Sequence, residues 1–497
     1  MSCFTQYKDD ASVDVFDVEE IENVTLYKIK IKINHVVWTV LHRYKDFDEL
    51  HSKLVSDHGV AKDLLPPKKA IRNKCPKFVE QRREGLNAYL KNIFNYLQLT
   101  MPREFAKFLN FQDYDIAFLL QSLAMKLFID GDRLLERSNL FSISERLKQP
   151  CSSFELADSK FDFSHVLDFC SQLKILHIEG NDRNIGTSNI VPNKLSFDLS
   201  PFKSLTELLI LKFPMQNIVN TGYLRDTLRV FRVHKTNSRK ISDIILCDII
   251  HKNIEANSNQ LVNIFLVFLI RTYIPFAEQI PAFLYFLENW KELIEMNLST
   301  NNITDIDKSI KLLPKLQKLI LNNNKISEIN NLSSLPHLSH LNLSENMFTS
   351  CQDWHSKIGK ITYINLAQNK ISSLVGFSKL YSLENLDVSC NQISDVEEVQ
   401  NICKLPCLEN LRLTANPVAS VVDYRVKVIE QFNLRMGDIF LDNEKASEKE
   451  LDTARVLQAL RISALSQMAC GANKNFKGVV LLLGSQRLEW NAPIAPA

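Results

Sequence analysis

Six times between positions 293 and 418 the chain repeats one spacing, LxxLxLxxNxI, and this repetition restricts its fold more than any other feature. The copies are Leu293, Met296, Leu298, Asn301, Ile303; Leu316, Leu319, Leu321, Asn324, Ile326; Leu338, Leu341, Leu343, Asn346, Phe348; Ile361, Ile364, Leu366, Asn369, Ile371; Leu383, Leu386, Val388, Asn391, Ile393; and Leu408, Leu411, Leu413, Asn416, Val418. Successive asparagines stand 22 to 25 residues apart. A unit that short cannot bury its own apolar side, so the copies must stack, each giving one short parallel strand whose leucines point into a shared core. The asparagine amide can satisfy main-chain groups where the chain turns away from the strand. Weaker copies without the asparagine precede these, at Leu173, Leu176, Ile178, at Leu205, Leu208, Ile210 and at Leu228, Phe231, Val233. Beyond the last copy Val426, Ile429 and Phe432 follow Asp423 at helical spacing, the pattern of a helix that covers the open end of the core.

The spacing resembles the leucine-rich-repeat family, in which residues alternating with the inward leucines line a concave face. One such column is Asn297, Ile320, Asn342, Asn365, Asp387 and Arg412; the next is Ser299, Asn322, Ser344, Ala367, Ser389 and Thr414. These columns are amide-rich and nearly uncharged, which suits hydrogen-bonded recognition of a protein, and a merely solvated face accounts for any single residue equally well. The resemblance implies protein binding there.

Upstream the periodicity changes. Residues 25–33 alternate strictly, with Tyr27, Ile29, Ile31 and Ile33 on one side and Lys28, Lys30 and Lys32 on the other, and after Asn34-His35 a second alternating run carries Trp38 and Val40. That is an antiparallel hairpin with one wetted face. A basic loop, LPPKKAIRNKCPK, follows and is irregular around Pro66-Pro67. Val79, Leu86, Leu90, Ile93 and Leu97 then recur at helical spacing. A small sheet followed by helices is the α+β order of one domain. Arg82 falls inside that apolar stripe, and a charge aimed inward needs an anionic partner. Phosphate oxygens supply one through paired hydrogen bonds to a guanidinium. Taken singly, Arg43 reads as a solvated strand-end charge, Lys68 as a loop lysine and Arg82 as a partner of Glu84; found together in order, they point to a phosphate-bearing ligand.

This stretch resembles the PX domain family. The family pattern of Arg-Tyr/Phe-x-Asp/Glu-Phe, a Pro-rich loop with lysine, and Arg-x-x-x-Leu-x-x-Tyr-Leu is met by RYKDF at 43–47, by LLPPKK, and by Arg82 with Leu86, Tyr89 and Leu90. The resemblance implies that Arg43 binds the 3-phosphate of phosphatidylinositol 3-phosphate, that Tyr44 stacks on the inositol ring, that Lys68 holds the 1-phosphate and that Arg82 holds ring hydroxyls. Lys69, Ile71, Arg72, Lys74 and Lys77 form the expected membrane-contact loop, its charges worth about 1 kcal/mol each near an anionic surface. A plain solvated loop accounts for those charges equally.

Composition removes other classes. Lys plus Arg (59) nearly balances Asp plus Glu (57), so no global field commits the chain to nucleic acid. The 10 cysteines form no CxxC pair, neither a zinc spacing nor a disulfide framework, which fits a reducing cytosol. No GxSxG, GxxxxGKS/T or HExxH motif occurs, so no catalytic residue, metal or cofactor is expected. The N-terminus is acidic and lacks the charged-then-apolar order of a signal peptide. The apolar run LVNIFLVFLI at 261–270 is closed by Arg271. A spanning helix needs roughly 20 apolar residues, so a buried or aberrant segment is expected rather than a membrane span.

The expected architecture is therefore multidomain: an α+β PX domain at 12–113, a polar helical connector at 114–160, and an α/β leucine-rich-repeat solenoid. The solenoid comprises degenerate repeats at 161–235, an atypical apolar insertion at 236–290, regular repeats at 291–420 and a C-terminal cap at 421–465, before an irregular tail at 466–497. This order of modules resembles the N-terminal part of the nischarin family, with segments such as WTVLHRYKDF, LDFCSQLKIL, FDLSPFKSL, KLYSLENLDV, LPCLENLRL and DYRVKV carrying the likeness. It implies a cytoplasmic scaffold, peripheral on early or recycling endosomes, that engages an integrin cytoplasmic tail, Rac and p21-activated kinase and restrains cell migration. Residues 236–290 depart from the family and read either as an insertion or as a mistranslated intron; family members continue beyond the tail GVVLLLGSQRLEWNAPIAPA, so partner sites lying there do not carry over to this chain. The rival reading is a soluble regulatory subunit of a protein phosphatase or similar enzyme, with the first domain binding protein.

Overall fold

The computed structural model describes residues 1–68, 75–129, 137–148, 163–246 and 289–472. Strand β2 (Val24–Ile33) runs between β1 (Ala11–Ile21) and β3 (Val36–Arg43) in an antiparallel sheet. Tyr27, Ile29, Ile31 and Ile33 are buried while Lys30 and Lys32 face out, as period-two alternation requires. Asn34 takes the left-handed backbone (φ 53) of the tight turn, a conformation open to asparagine. Strand β1 adds to the expected hairpin; a register shift between Val15 and Asp17 interrupts its alternation. Helix α1 (Tyr44–His58) follows β3 directly and ends on Gly59 at φ 67. Helix α2 (Pro76–Leu97) buries Leu86, Tyr89, Leu90, Ile93, Phe94 and Leu97.

The connector departs from the polar expectation in its first helix and keeps it in its second. Helix α3 (Ile116–Ile129) reads IAFLLQSLAMKLFI and buries Leu119, Leu120 and Leu123, and α4 (Arg137–Lys148) buries Leu140 and Ile143. Apolar faces of that kind do not stand free in water, so the two helices pack on each other, on the segments Phe111–Tyr114 and Ser164–Gln172, and on Phe197–Asp198. The first residues join them. Ser2 N–H donates to the Tyr114 carbonyl and Ile116 N–H to the Ser2 carbonyl, both at 2.9 Å, and Phe4 N–H donates to Asp115 Oδ2 at 2.6 Å. Burial pushes the Asp115 carboxyl up to about 6 in spite of these bonds.

Eleven strands form the second sheet. Strands β4 (Ile175–Glu179), β5 (Glu207–Leu211) and β6 (Val230–His234) come from the weak upstream copies. They are followed in parallel by β7 (Glu295–Asn297), β8 (Lys318–Ile320), β9 (His340–Asn342), β10 (Tyr363–Asn365), β11 (Asn385–Asp387) and β12 (Asn410–Arg412). β13 (Phe440–Leu441) extends the parallel run and β14 (Glu444–Lys445) turns back against it. The asparagines tie the turns together. Asn324 Nδ2 donates to the Leu298 and Leu321 carbonyls and its Oδ1 accepts Ile303 N–H, each at 3.0 Å. Asn346, Asn369, Asn391 and Asn416 make the same three bonds one repeat further on.

The interruption expected over 236–290 is narrower than that. β6 pairs directly with β7, Thr236 N–H donates to Asn301 Oδ1 at 2.9 Å, and Ile241, Ile244, Ile245 and Trp290 are buried. These residues complete the turn that Asn301 organises and so belong to the solenoid. Each strand is positioned by its two neighbours, which is why an insertion between two of them leaves the stack unbroken. Residues 247–288, with the apolar run at 261–270, lie outside the described residues. Among the described residues no helix is long and apolar enough to cross a membrane.

The sheets meet edge to loop. β3 is an edge strand of the first sheet, and the segment 185–190, between β4 and β5, lies along it. Val37 N–H donates to Asn189 Oδ1 and Asn189 N–H to the Val37 carbonyl, both at 3.0 Å. The Thr187 hydroxyl accepts Thr39 N–H at 3.2 Å and donates to the Thr39 carbonyl at 2.5 Å, and Asn189 Nδ2 donates to the His35 carbonyl at 2.8 Å. Gly186 at φ 51 lets the segment approach Tyr114, whose hydroxyl would stand 2.4 Å from an added Cβ. The buried apolar residues form one cluster from Met1 to Ala454.

Candidate functional site

Arg82 stands on the second turn of α2, and the fold closes around its guanidinium. The Tyr44 ring, first residue of α1, lies 4.4 Å from the guanidinium carbon and the Phe78 ring, one turn back on α2, lies 4.3 Å from it. From below, the buried Tyr27 hydroxyl hydrogen-bonds Arg82; burial raises the Tyr27 phenol's pKa while the Arg82 charge and that bond lower it. Nε and Nη2 of Arg82 are buried and have no hydrogen-bond partner among the described residues. Each donor stripped of water without a replacement costs about 1–3 kcal/mol, more on a charged group. The expected alternative partner, Glu84, is not used; Arg83 takes Glu80 instead at 2.6 Å.

The pocket wall comes from the Pro66 loop. The Tyr44 hydroxyl donates to the Pro66 carbonyl at 2.5 Å, and Pro66 Cγ would stand 2.9 Å from a Cβ at Gly85, so the loop seats on α2 where a side chain is missing. Burial raises the Tyr44 phenol and the Asp48 charge adds to it, so the ring stays neutral. Arg43 is the N-cap residue of α1. Its backbone N–H donates to Asp46 Oδ2 at 3.0 Å and its Nε to Asp46 Oδ1 at 3.1 Å. That tie aims a half-exposed guanidinium at the helix start, where the helix field also favours an anion. Lys68 is 73% exposed with Nζ 4.0 Å from Asp48 Oδ2, held by little. Lys77 sits in the first turn of α2 and is exposed. Lys69, Ile71, Arg72 and Lys74 lie outside the described residues. Among the expected lipid residues the structure thus brings Arg82 and Tyr44 into contact, sets Arg43 beside Tyr44, and leaves Lys68 extended at the rim. Tyr27 and Phe78 belong to the pocket and were not anticipated: Tyr27 occupies an inward strand position that alternation reads as ordinary core.

The concave face carries Asn297, Ile320, Asn342, Asn365, Asp387 and Arg412 in register on neighbouring strands. A column one step earlier, Glu295, Lys318, His340, Tyr363, Asn385 and Asn410, shares that face; the same alternation read from the other side of the second leucine would have found it. His340 stacks on Tyr363 at 5.6 Å and 19°. Toward the start of the sheet Arg232 bonds both Glu207 and Glu295, and Lys318 Nζ lies 3.4 Å from Glu295.

Residues 32–112 match the PX domain family and residues 360–401 match the family of leucine-rich repeats in two copies. The chain therefore carries a PX domain and leucine-rich repeats. The serine/threonine-protein kinase Sgk3 of Rattus norvegicus is 32% identical over 82 residues, 16% of each chain. Sorting nexin-24 of Homo sapiens is 37% identical over 86 residues, which are 17% of this chain and 48% of that one. The chain thus spans less than half the length of the curated relatives it matches. An internalin from Listeria monocytogenes is 16% identical with a TM-score of 0.23 over 50% of this chain and 83% of its own.

Proposed function

We infer that the chain is a non-catalytic adaptor that docks on membranes bearing phosphatidylinositol 3-phosphate through residues 12–113 and offers its repeat face to a protein partner. The observation that carries this reading is the Arg82 guanidinium, walled by two aromatic rings with Nε and Nη2 buried and unbonded. A headgroup with vicinal hydroxyls and phosphates supplies the missing acceptors, Tyr44 offers a face to the inositol ring, Arg43 meets the 3-phosphate at the helix start and Lys68 reaches the 1-phosphate. Lys69, Ile71, Arg72, Lys74 and Lys77 contact the bilayer beside it. The likeness to the nischarin family extends the reading to early or recycling endosomes and to an integrin cytoplasmic tail, Rac and p21-activated kinase as partners of a scaffold that restrains cell migration. On the same reading 421–465 serve as the cap of the repeat core: Val428, Ile429 and Phe432 are buried there and Arg425 bridges the Leu441 carbonyl at 2.9 Å to Glu450 at 2.8 Å.

Flotation of the full chain with vesicles holding single phosphoinositides tests the lipid half. Wild type is expected to float with the 3-phosphate lipid, and Arg43→Gln and Arg82→Gln to stay behind. Wild type that ignores every phosphoinositide would remove the lipid reading and leave the first domain as a protein-binding module.

A further inference from the structure

The concave face divides into two chemically different halves. Between β5 and β8 its charges are spent on one another, with Arg232 holding Glu207 and Glu295 and Lys318 turned to Glu295. From β9 to β12 the face is built on amides whose direction is set. Asn342 Oδ1 accepts Ser344 N–H at 3.0 Å and Asn365 Oδ1 accepts Ala367 N–H at 2.9 Å. Each oxygen is thereby turned to its own backbone and each Nδ2 is turned to the groove, where no group among the described residues accepts from it. Asp387 adopts the same arrangement, Oδ1 accepting Ser389 N–H at 3.0 Å, and its outward Oδ2 is covered by Arg412 Nη1 at 3.3 Å. Arg412 is steadied in turn by Asn443 Oδ1, 2.8 Å from its Nε. Asp387, the one carboxylate among the strand residues of β9 to β12, is therefore neutralised, and the row presents fixed amide donors on the adjacent strands β9 and β10, about 4.8 Å apart, with the Arg412 guanidinium two strands further on.

We propose that this half of the face takes an extended acidic segment of a partner protein, whose carboxylates accept from Asn342 Nδ2, Asn365 Nδ2 and the Arg412 guanidinium. The proposal deepens the reading of the repeats as a protein-binding surface and rests on it. Two physical points favour a carboxylate partner over a neutral one. Donors already locked in direction lose little freedom on binding, and hydrogen bonds from such donors to an ionised oxygen are roughly twice as strong as to a neutral one. The stacked pair His340 and Tyr363 stands beside the row and gives an apolar surface for the segment's intervening side chains.

The column itself supplies the test variants. Asp387 shows that a carboxylate keeps the inward bond, so N342D/N365D reverses outward polarity without losing it; Ile320 shows that an aliphatic side chain is tolerated at the same register, so N342I/N365I removes the donors without adding charge. The probe is a short fluorescent peptide alternating Glu and Thr, with its Gln/Thr counterpart as control, titrated against the full chain by anisotropy. Wild type is expected to bind the Glu peptide, and the Gln peptide and both double variants to bind or be bound roughly tenfold more weakly or less, the effect of losing two such hydrogen bonds. Failure of wild type to bind the Glu peptide, or binding by either double variant within about twofold of wild type, overturns the proposal. Lipid flotation of both variants is expected to match wild type, and its loss in wild type would strike the membrane reading while leaving the peptide result intact.

Discussion

A guanidinium whose Nε and Nη2 give up water without gaining hydrogen bonds weakens the protein that holds it, and Arg82 is in that position among the described residues. Its two aromatic contacts recover part of the loss, each worth about 0.5–2 kcal/mol. Methionine at 82 would keep contact with the Tyr44 and Phe78 rings through its sulfur while shedding the stranded donors. Arg82→Met is therefore expected to melt at or above the wild-type temperature, with a gain on the order of 1 kcal/mol, and to lose flotation on the 3-phosphate lipid. Differential scanning fluorimetry beside flotation checks both halves; a midpoint lowered by more than about 4 °C would mean that Arg82 is a structural residue. At this scale the sequence was legible where a residue broke its own pattern. Arg82 stands out because a charge interrupts an apolar stripe, and Asn324 because its amide recurs. Tyr27 was hidden because it obeys its pattern, and the Asp46 tie that aims Arg43 follows from the helix start, which only the folded backbone makes visible.

Single elements differ in how much of their position is local. A repeat strand such as Lys318–Ile320 is specified by leucines three and five residues apart, and its partners are copies of itself, so periodicity alone places it. The seal on β3 has no such signature. Its residues, Thr187 and Asn189, are small and polar, lie about 150 positions from their partners in the chain, and read as an ordinary loop. Yet they give the outward amides of Val37 and Thr39 partners that an edge strand otherwise lacks. Removing those partners with Thr187→Val and Asn189→Ala together is expected to speed hydrogen exchange at Val37 and Thr39 by about tenfold or more. Trp38 and Val40, whose amides face β2, are expected to keep their rates. Mass-spectrometric or NMR exchange distinguishes the two sets, and equal rates at Val37 and Thr39 in variant and wild type would show that the loop contact does not persist in solution.

On the scale of the whole chain the question is whether lipid pocket and repeat face act as one object. Domains joined by a polar linker ordinarily open independently, and a polar connector was the sequence expectation for 114–160. The described part of that connector is instead two half-buried helices, clamped from one side by the Phe4 bond to Asp115 and from the other by Asp198 N–H on Ser144 Oγ at 2.7 Å, with the β3 seal as a third tie. Among the described residues these three ties and one apolar cluster set the cost of parting the two near that of unfolding one of them. If so, a lipid held at Arg82 also fixes the direction in which Asn342 and Asn365 look. Native-state hydrogen exchange in rising urea reads this directly. Segments from β2 and from β8 to β9 are expected to lose protection at one common denaturant concentration in wild type, and at two separate concentrations once Thr187→Val, Asn189→Ala and an Asp115→Ala change have cut the ties. Separate openings already in wild type would mean that the pocket and the repeat face are coupled by proximity alone, and that the membrane does not orient what the repeats bind.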